Sequence, residues 1–186
     1  MVKLRVNADQ IREHAPLEDA FPDIGRTKIH KDLLEWGIDT GDMYIEFHPG
    51  LLSVMGALPM YEGIVAINPS VLEWAYPMPE GKYLGLIHEL THLLQAIERG
   101  TKVPKPSEWI HSQTEQEAVM RSVTELLVLR VPKERIRAAV RIRYSGNPDL
   151  PTILSIMESA ITRHERGVST PARRPEIHVR QHKRRI

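Results

Sequence analysis

The sequence contains no cysteine among its 186 residues. Disulfide bonds and thiolate metal sites are therefore excluded, and any bound metal must take its ligands from histidine, aspartate or glutamate. The lack of cysteine is compatible with a reducing cytosol but does not prove one, because many secreted proteins also lack it.

Long apolar runs are missing as well. Charged residues interrupt every such stretch well short of the roughly 18 residues that a membrane-spanning helix needs, and residues 1–9 contain no apolar segment of signal-peptide length. The formal net charge is only +1, so the overall charge predicts no polyanionic partner. We expect a cytoplasmic protein that does not associate with membranes.

The length suits one compact domain with a single core. From Val168 onward apolar periodicity disappears and Arg and Lys dominate. We therefore predict one domain over residues 1–167, followed by a basic C-terminal tail over residues 168–186. The tail is interpreted as a solvated extension, with contact to nucleic acid or to a partner protein as the alternatives.

Hydrophobic periodicity predicts an α+β fold, with a small N-terminal mixed sheet and a helical C-terminal half. The predicted strands are Val2–Val6, Met43–Phe47 and Gly63–Asn68. The predicted helices cover 27–36, 80–99, a segment from Ser107 or Ser112 to Leu129, 132–143 and 152–166.

The chemistry is concentrated in the segment His88-Glu89-Leu90-Thr91-His92. Two imidazoles four residues apart lie on one face of a helix and can bind the same Zn²⁺ ion. Glu89 follows the first histidine and can act as a base on a metal-bound water without binding the metal itself. A chance match is the alternative, but the bulky apolar neighbours indicate a buried helix, where two histidines and a glutamate would be costly without a metal.

This segment resembles the active-site helix of the zincin metallopeptidases, in its thermolysin-type form. Residues 63–68 also match the position of the zincin edge strand that lies along the substrate. The metzincin extension is absent, because residues 95–100 contain no histidine. The resemblance therefore implies a gluzincin, whose third ligand is a glutamate on a following helix, with minimal zincin-like architecture.

Two glutamates on that helix are candidates for the third ligand. Glu115 shares its helix face with apolar residues, whereas Glu117 lies on a more polar side, which favours Glu115. The thermolysin-like pattern, with Glu directly before Ala118, favours Glu117 instead. Either glutamate could also belong to a capping box, Glu115 with Ser112 or Glu117 with Thr114.

The acidic residue that gluzincins often carry four positions after this ligand is missing. Val119 and Arg121 occupy the two possible places. This departure reduces the support expected for a metal-bound histidine.

A gluzincin also needs a donor for the oxyanion of the tetrahedral intermediate. His111 is the first candidate for this catalytic role, followed by Tyr83 and Tyr144, although a solvated histidine at a helix start is the ordinary alternative and Tyr83 suits a packing role. The remaining histidines His30, His48 and His164 have no partner spacing and are interpreted as structural or surface residues.

Together these features predict a zinc metallopeptidase that hydrolyses peptide or protein substrates. The metal ligands would be His88, His92 and Glu115, and the catalytic residues Glu89 and His111. One alternative is a regulatory protease that cleaves a repressor. Another is a zincin-like binding or assembly protein that acts through the basic tail, which in a small gluzincin could also be inhibitory.

Overall fold

The computed structural model describes residues 3–50, 55–57, 63–99 and 112–167. The helices of this part of the chain are α1 (Leu17–Ala20), α2 (Lys28–Leu34), α3 (Pro69–Ala75), α4 (Pro79–Arg99), α5 (Gln113–Val128), α6 (Lys133–Arg143) and α7 (Leu150–Glu165). The strands are β1 (Tyr44–Phe47), β2 (Met55–Ala57) and β3 (Ile64–Ile67). The predicted α+β class is confirmed. The predicted tail, 168–186, lies outside the described residues.

The sheet has the order β1-β3-β2 and is mixed, as predicted. β1 pairs in parallel with β3, with Tyr44 opposite Ile64, and β2 pairs antiparallel with β3, with Met55 opposite Ile67. The segment 63–68 was therefore wrongly expected to be an edge strand. Its residues 65–67 are all buried, as is typical of a central strand.

The edge strand that packs against α4 is β2 instead. It lies in a Gly-containing passage whose secondary structure the sequence does not indicate. Its three residues are too few to show an alternating pattern.

Several predicted boundaries agree with the structure. Helix α2 is followed by Gly37, whose φ of +79° is a left-handed conformation that suits glycine at a helix end. Helix α5 begins after Ser112 rather than Ser107, because the Ser112 side chain accepts a hydrogen bond from the backbone N–H of Glu115. Gly146 and Gly167 follow α6 and α7 with φ of +78° and +64°.

One prediction for the N-terminal half was wrong, and two short helices there were not predicted. Residues 3–6 form no strand, since the backbone N–H of Arg5 donates to the Asp23 carboxylate instead of to a neighbouring strand. The passage after Pro16 contains the short helix α1, where no helix was predicted from the sequence. Asn68 ends a strand as expected, but its side chain also caps helix α3, which the periodicity did not indicate.

Helix α4 occupies the middle of the fold. It packs against α5, α6, α2 and β2, and its buried residues include Leu86, Ile87, Leu90 and Leu93. A helix that is apolar on most sides must be surrounded by other elements. As a result, the start of α5 and the end of α6 both lie close to α4.

None of the helices in the described ranges combines the length and hydrophobicity that a membrane crossing requires.

Candidate metal centre

The structure brings His88, His92 and Glu115 together between α4 and α5. The two imidazole Nε2 atoms lie 3.1 Å apart. Nε2 of His88 is 3.2 Å from Oε2 of Glu115, and Nε2 of His92 is 3.1 Å from Oε1. The side chains of His88 and Glu115 are each only 3% exposed, whereas that of His92 is 20% exposed. The cluster is thus buried on one side and open to solvent at His92.

The start of α5 explains why Glu115 faces α4. Ser112 caps the helix through the Glu115 N–H at 3.2 Å, which places Glu115 in the first turn. From there its face of the helix continues with the buried Ala118 and Val119, so the carboxylate lies on the side packed against α4.

Glu117 lies elsewhere. It is half-buried and accepts hydrogen bonds from the side-chain amides of Gln113 at 2.8 Å and Gln95 at 3.3 Å. The choice of Glu115 from helical phase thus identifies the glutamate that contacts both histidines. The thermolysin-like pattern, which favoured Glu117, does not.

Gln95 determines which ring nitrogen of neutral His92 carries the proton. Its amide nitrogen donates to the Thr114 carbonyl at 3.1 Å and to the Glu117 carboxylate, both of which can only accept. Its amide oxygen, 2.9 Å from Nδ1 of His92, must therefore accept the proton of that nitrogen. Nε2 of neutral His92 then directs a lone pair at the Glu115 carboxylate, which is repulsive unless a cation, either a proton or a metal ion, lies between them.

The ionisation of the three residues agrees with this requirement. Burial would raise the pKa of Glu115, but its contacts with His88 and His92 lower the pKa to about 2. Burial lowers the pKa of His88 to about 4 despite the neighbouring carboxylate. Burial would also lower the pKa of His92, but Glu115 raises it. Near neutral pH the cluster therefore contains one carboxylate, one neutral imidazole and one imidazole that readily binds a cation.

The distances fit a tetrahedral zinc site. Ligands at about 2.0–2.1 Å from a tetrahedral ion are about 3.3 Å from one another, and the three distances here are 3.1–3.2 Å. In addition, Oε2 of Glu115 is buried without a hydrogen-bond partner in the described part of the chain, even though Nε2 of His88 lies nearby. Both atoms are close enough to each other to bind one shared ion.

Glu89 lies beside this cluster and is partly buried. Burial raises the pKa of its carboxyl group to about 7, and the positive charges of His92 and Arg143 oppose that increase. A carboxyl group with a pKa near 7 can both accept and donate a proton at neutral pH.

Glu18, His30 and Asp39 form a second group of potential ligands, whose ligand atoms lie within 4.8 Å of one another, but each of the three makes a hydrogen bond within the chain. The Thr40 hydroxyl is 2.7 Å from Nδ1 of His30 and donates to Glu18 at 3.1 Å. Asp39 is exposed and accepts the N–H of Gly41. These contacts account for His30 as a structural residue.

The candidate oxyanion donors separate into three cases. His111 lies outside the described residues, so its predicted role is not tested. Tyr83 is a packing residue, because its hydroxyl accepts from the backbone N–H of Asp23 and donates to the Arg5 carbonyl. Tyr144 is close enough for Glu115 and Glu89 to influence its pKa, which burial raises to about 12.

The other two histidines that were interpreted as structural or surface residues do not belong to the cluster of His88, His92 and Glu115. His48 lies 3.2 Å from Glu46, and His164 is exposed on α7.

Sequence reasoning missed Gln95 and Arg143. Gln95 lies one turn after His92 on α4, and this spacing could have indicated an orienting partner. Arg143 is the last residue of α6, and its guanidinium group lies against the ring of Tyr76 near the start of the motif. No local pattern links α6 to α4, so the sequence carries no signal for this contact.

Comparison of the chain with protein-family models, with curated proteins and with solved structures found no match in any of the three.

Proposed function

We propose that this chain is a zinc metallopeptidase of the gluzincin type. The observation that carries the proposal is the convergence of His88, His92 and Glu115 on one point, with distances suited to tetrahedral zinc. Three protein ligands leave one position open, as in catalytic rather than structural zinc sites. His92 is the most exposed of the three residues, so solvent would reach that position from its side.

Glu89 has the chemistry required of the general base. When bound, zinc would polarise the substrate carbonyl and acidify water. Glu89 would take the proton from the attacking water and transfer it to the leaving amine nitrogen. The pKa of about 7 suits a group that must accept a proton in one step and donate it in the next.

His88, His92 and Glu115 would hold the ion, and Gln95 would orient His92. A hydrogen bond to the second nitrogen of a ligating histidine selects the tautomer whose free lone pair binds the metal. Gln95 makes this contact with its amide oxygen, 2.9 Å from Nδ1 of His92. It replaces the acidic residue that the sequence lacks at positions 119 and 121.

The test separates metal binding from hydrolysis. Wild-type protein, Glu89→Gln and the control Glu98→Gln on the same helix are loaded with zinc and incubated with denatured casein, and the products are mapped by mass spectrometry. We expect all three proteins to bind one zinc ion. We also expect the rate of hydrolysis to fall by about 10²–10⁴-fold only in Glu89→Gln, because general base catalysis contributes about that much.

Two results would contradict the proposal. A wild-type protein that takes up no zinc contradicts the metal centre. Hydrolysis that is equally fast in wild type and Glu89→Gln contradicts the role of Glu89, and with it the mechanism.

A further inference from the structure

Arg143 is a partly buried cation that the proposed mechanism does not use. Its guanidinium carbon lies 5.0 Å from the ring centroids of both Tyr76 and Tyr144. Its Nη1 atom is buried and has no hydrogen-bond partner, and none of the ion pairs among the described residues includes it. The residue as a whole remains partly exposed, so that solvent reaches one side of it.

Comparable cations in this protein have acidic partners. Lys82, which is buried, lies 2.8 Å from Glu73, and Arg135 lies 2.7 Å from the buried Glu80. Arg143 cannot avoid its charge by losing a proton, because the pKa of arginine exceeds 12. The two tyrosine rings offset part of the desolvation cost through cation–π contact, but the buried Nη1 has no acceptor among the described residues.

The guanidinium group lies next to the candidate metal centre. A Cβ atom at Gly85 would be 3.3 Å from Nη1 of Arg143 and 2.9 Å from Cε2 of Tyr76, so the absence of a side chain lets both groups approach the backbone of α4. Gly85 lies four residues before Glu89 on α4, about one helical turn and about 6 Å along the axis. Arg143 therefore lies about one turn from the base that the mechanism uses.

The net charge around Arg143 favours the binding of an anion. Among the described residues, Glu89 and Glu115 are acidic groups that interact with Arg143 electrostatically, and the charge of Arg143 lowers the pKa of His88. With a divalent ion bound, the positive charge of the ion and of Arg143 exceeds the negative charge of the two glutamates. A substrate carboxylate would neutralise this excess and supply the acceptor that Arg143 lacks.

We infer that Arg143 binds a carboxylate group of the substrate, either the C-terminal carboxylate or an acidic side chain. This inference rests on the proposed peptidase function. A residue of extended peptide spans about 3.3–3.6 Å, so a carboxylate held by Arg143 belongs to a residue one or two positions from the bond that is cut. Arg143 is thus a specificity-determining residue.

The test measures binding rather than turnover. Zinc-loaded protein is titrated calorimetrically with three short peptide hydroxamates, in which the hydroxamate group binds the metal. One ends in a free carboxylate and one in a carboxamide, and the third ends in a carboxamide but carries glutamate as its last residue. The variants are Arg143→Met, which keeps an unbranched apolar stem between the rings, and the control Arg141→Met, which removes an exposed charge from the same helix.

We expect wild type and Arg141→Met to bind one or both carboxylate-bearing ligands about 10- to 100-fold more tightly than the plain carboxamide. The ligand that is preferred identifies the source of the carboxylate. Arg143→Met should lose this preference while binding the plain carboxamide as wild type does.

Two outcomes overturn the inference alone. One is zinc-loaded wild type that binds all three ligands equally well, a result that needs no variant to fold. The other is Arg143→Met that weakens all three ligands by the same factor. A wild-type protein that takes up no zinc is a different result, because it contradicts the proposed metal centre and this inference with it.

Discussion

Replacing Glu115 with glutamine tests the metal centre most directly. The substitution keeps the volume of a side chain that is 3% exposed and removes its negative charge. Structural zinc sites with four protein ligands bind with about 10–16 kcal/mol at neutral pH, which is about 2.5–4 kcal/mol for each ligand. Because a carboxamide is a much poorer zinc ligand than a carboxylate, we expect Glu115→Gln to weaken zinc binding by about two to three orders of magnitude.

The matched control is Glu117→Gln, which removes the same charge two residues further along α5. Its carboxylate contacts Gln113 and Gln95 rather than the histidines, so we expect its zinc affinity to stay within about threefold of wild type. Affinities are measured by competition with a chromophoric chelator, and circular dichroism verifies that both variants fold. Retention of wild-type affinity in Glu115→Gln, or a large loss in Glu117→Gln alone, would refute the reasoning from helical phase and contact geometry.

Two further predictions concern His92 and its surroundings. Gln95→Met, which removes the acceptor 2.9 Å from Nδ1 of His92, should weaken zinc binding by about 10–100-fold in the same competition assay, and an unchanged affinity would show that Gln95 does not orient the ligand. Zinc affinity should also decrease with falling pH. Zinc must displace a proton from His92, whose pKa is raised, while Glu115 stays ionised down to about pH 2 and His88 stays neutral down to about pH 4. Glu89, with a pKa of about 7, adds to the protons released. Below about pH 6 the affinity should therefore fall by about tenfold or more per pH unit, and titrations that give one affinity between about pH 8 and about pH 5 would contradict this assignment.

The local parts of the structure could be predicted well because local interactions produce them. The buried helix α4 follows from its nearly continuous apolar residues, and the cap at Ser112 follows from a serine placed before the first turn of α5. Short elements were harder. Strand β2 has three residues and helix α1 has four, so neither is long enough to show a period, and both depend on the neighbours that cover them.

The sequence alone determined that His88 and His92 lie on one face of one helix, because helical geometry depends only on their separation of four residues. It also favoured Glu115 over Glu117, because the burial pattern of α5 is contained within that helix. Only the tertiary structure decided that Glu115 contacts both imidazoles, that Gln95 orients His92 and that Arg143 lies against Gly85. Those contacts join segments far apart in the chain, and their distances depend on how α5 and α6 pack against α4 rather than on any local pattern of residues.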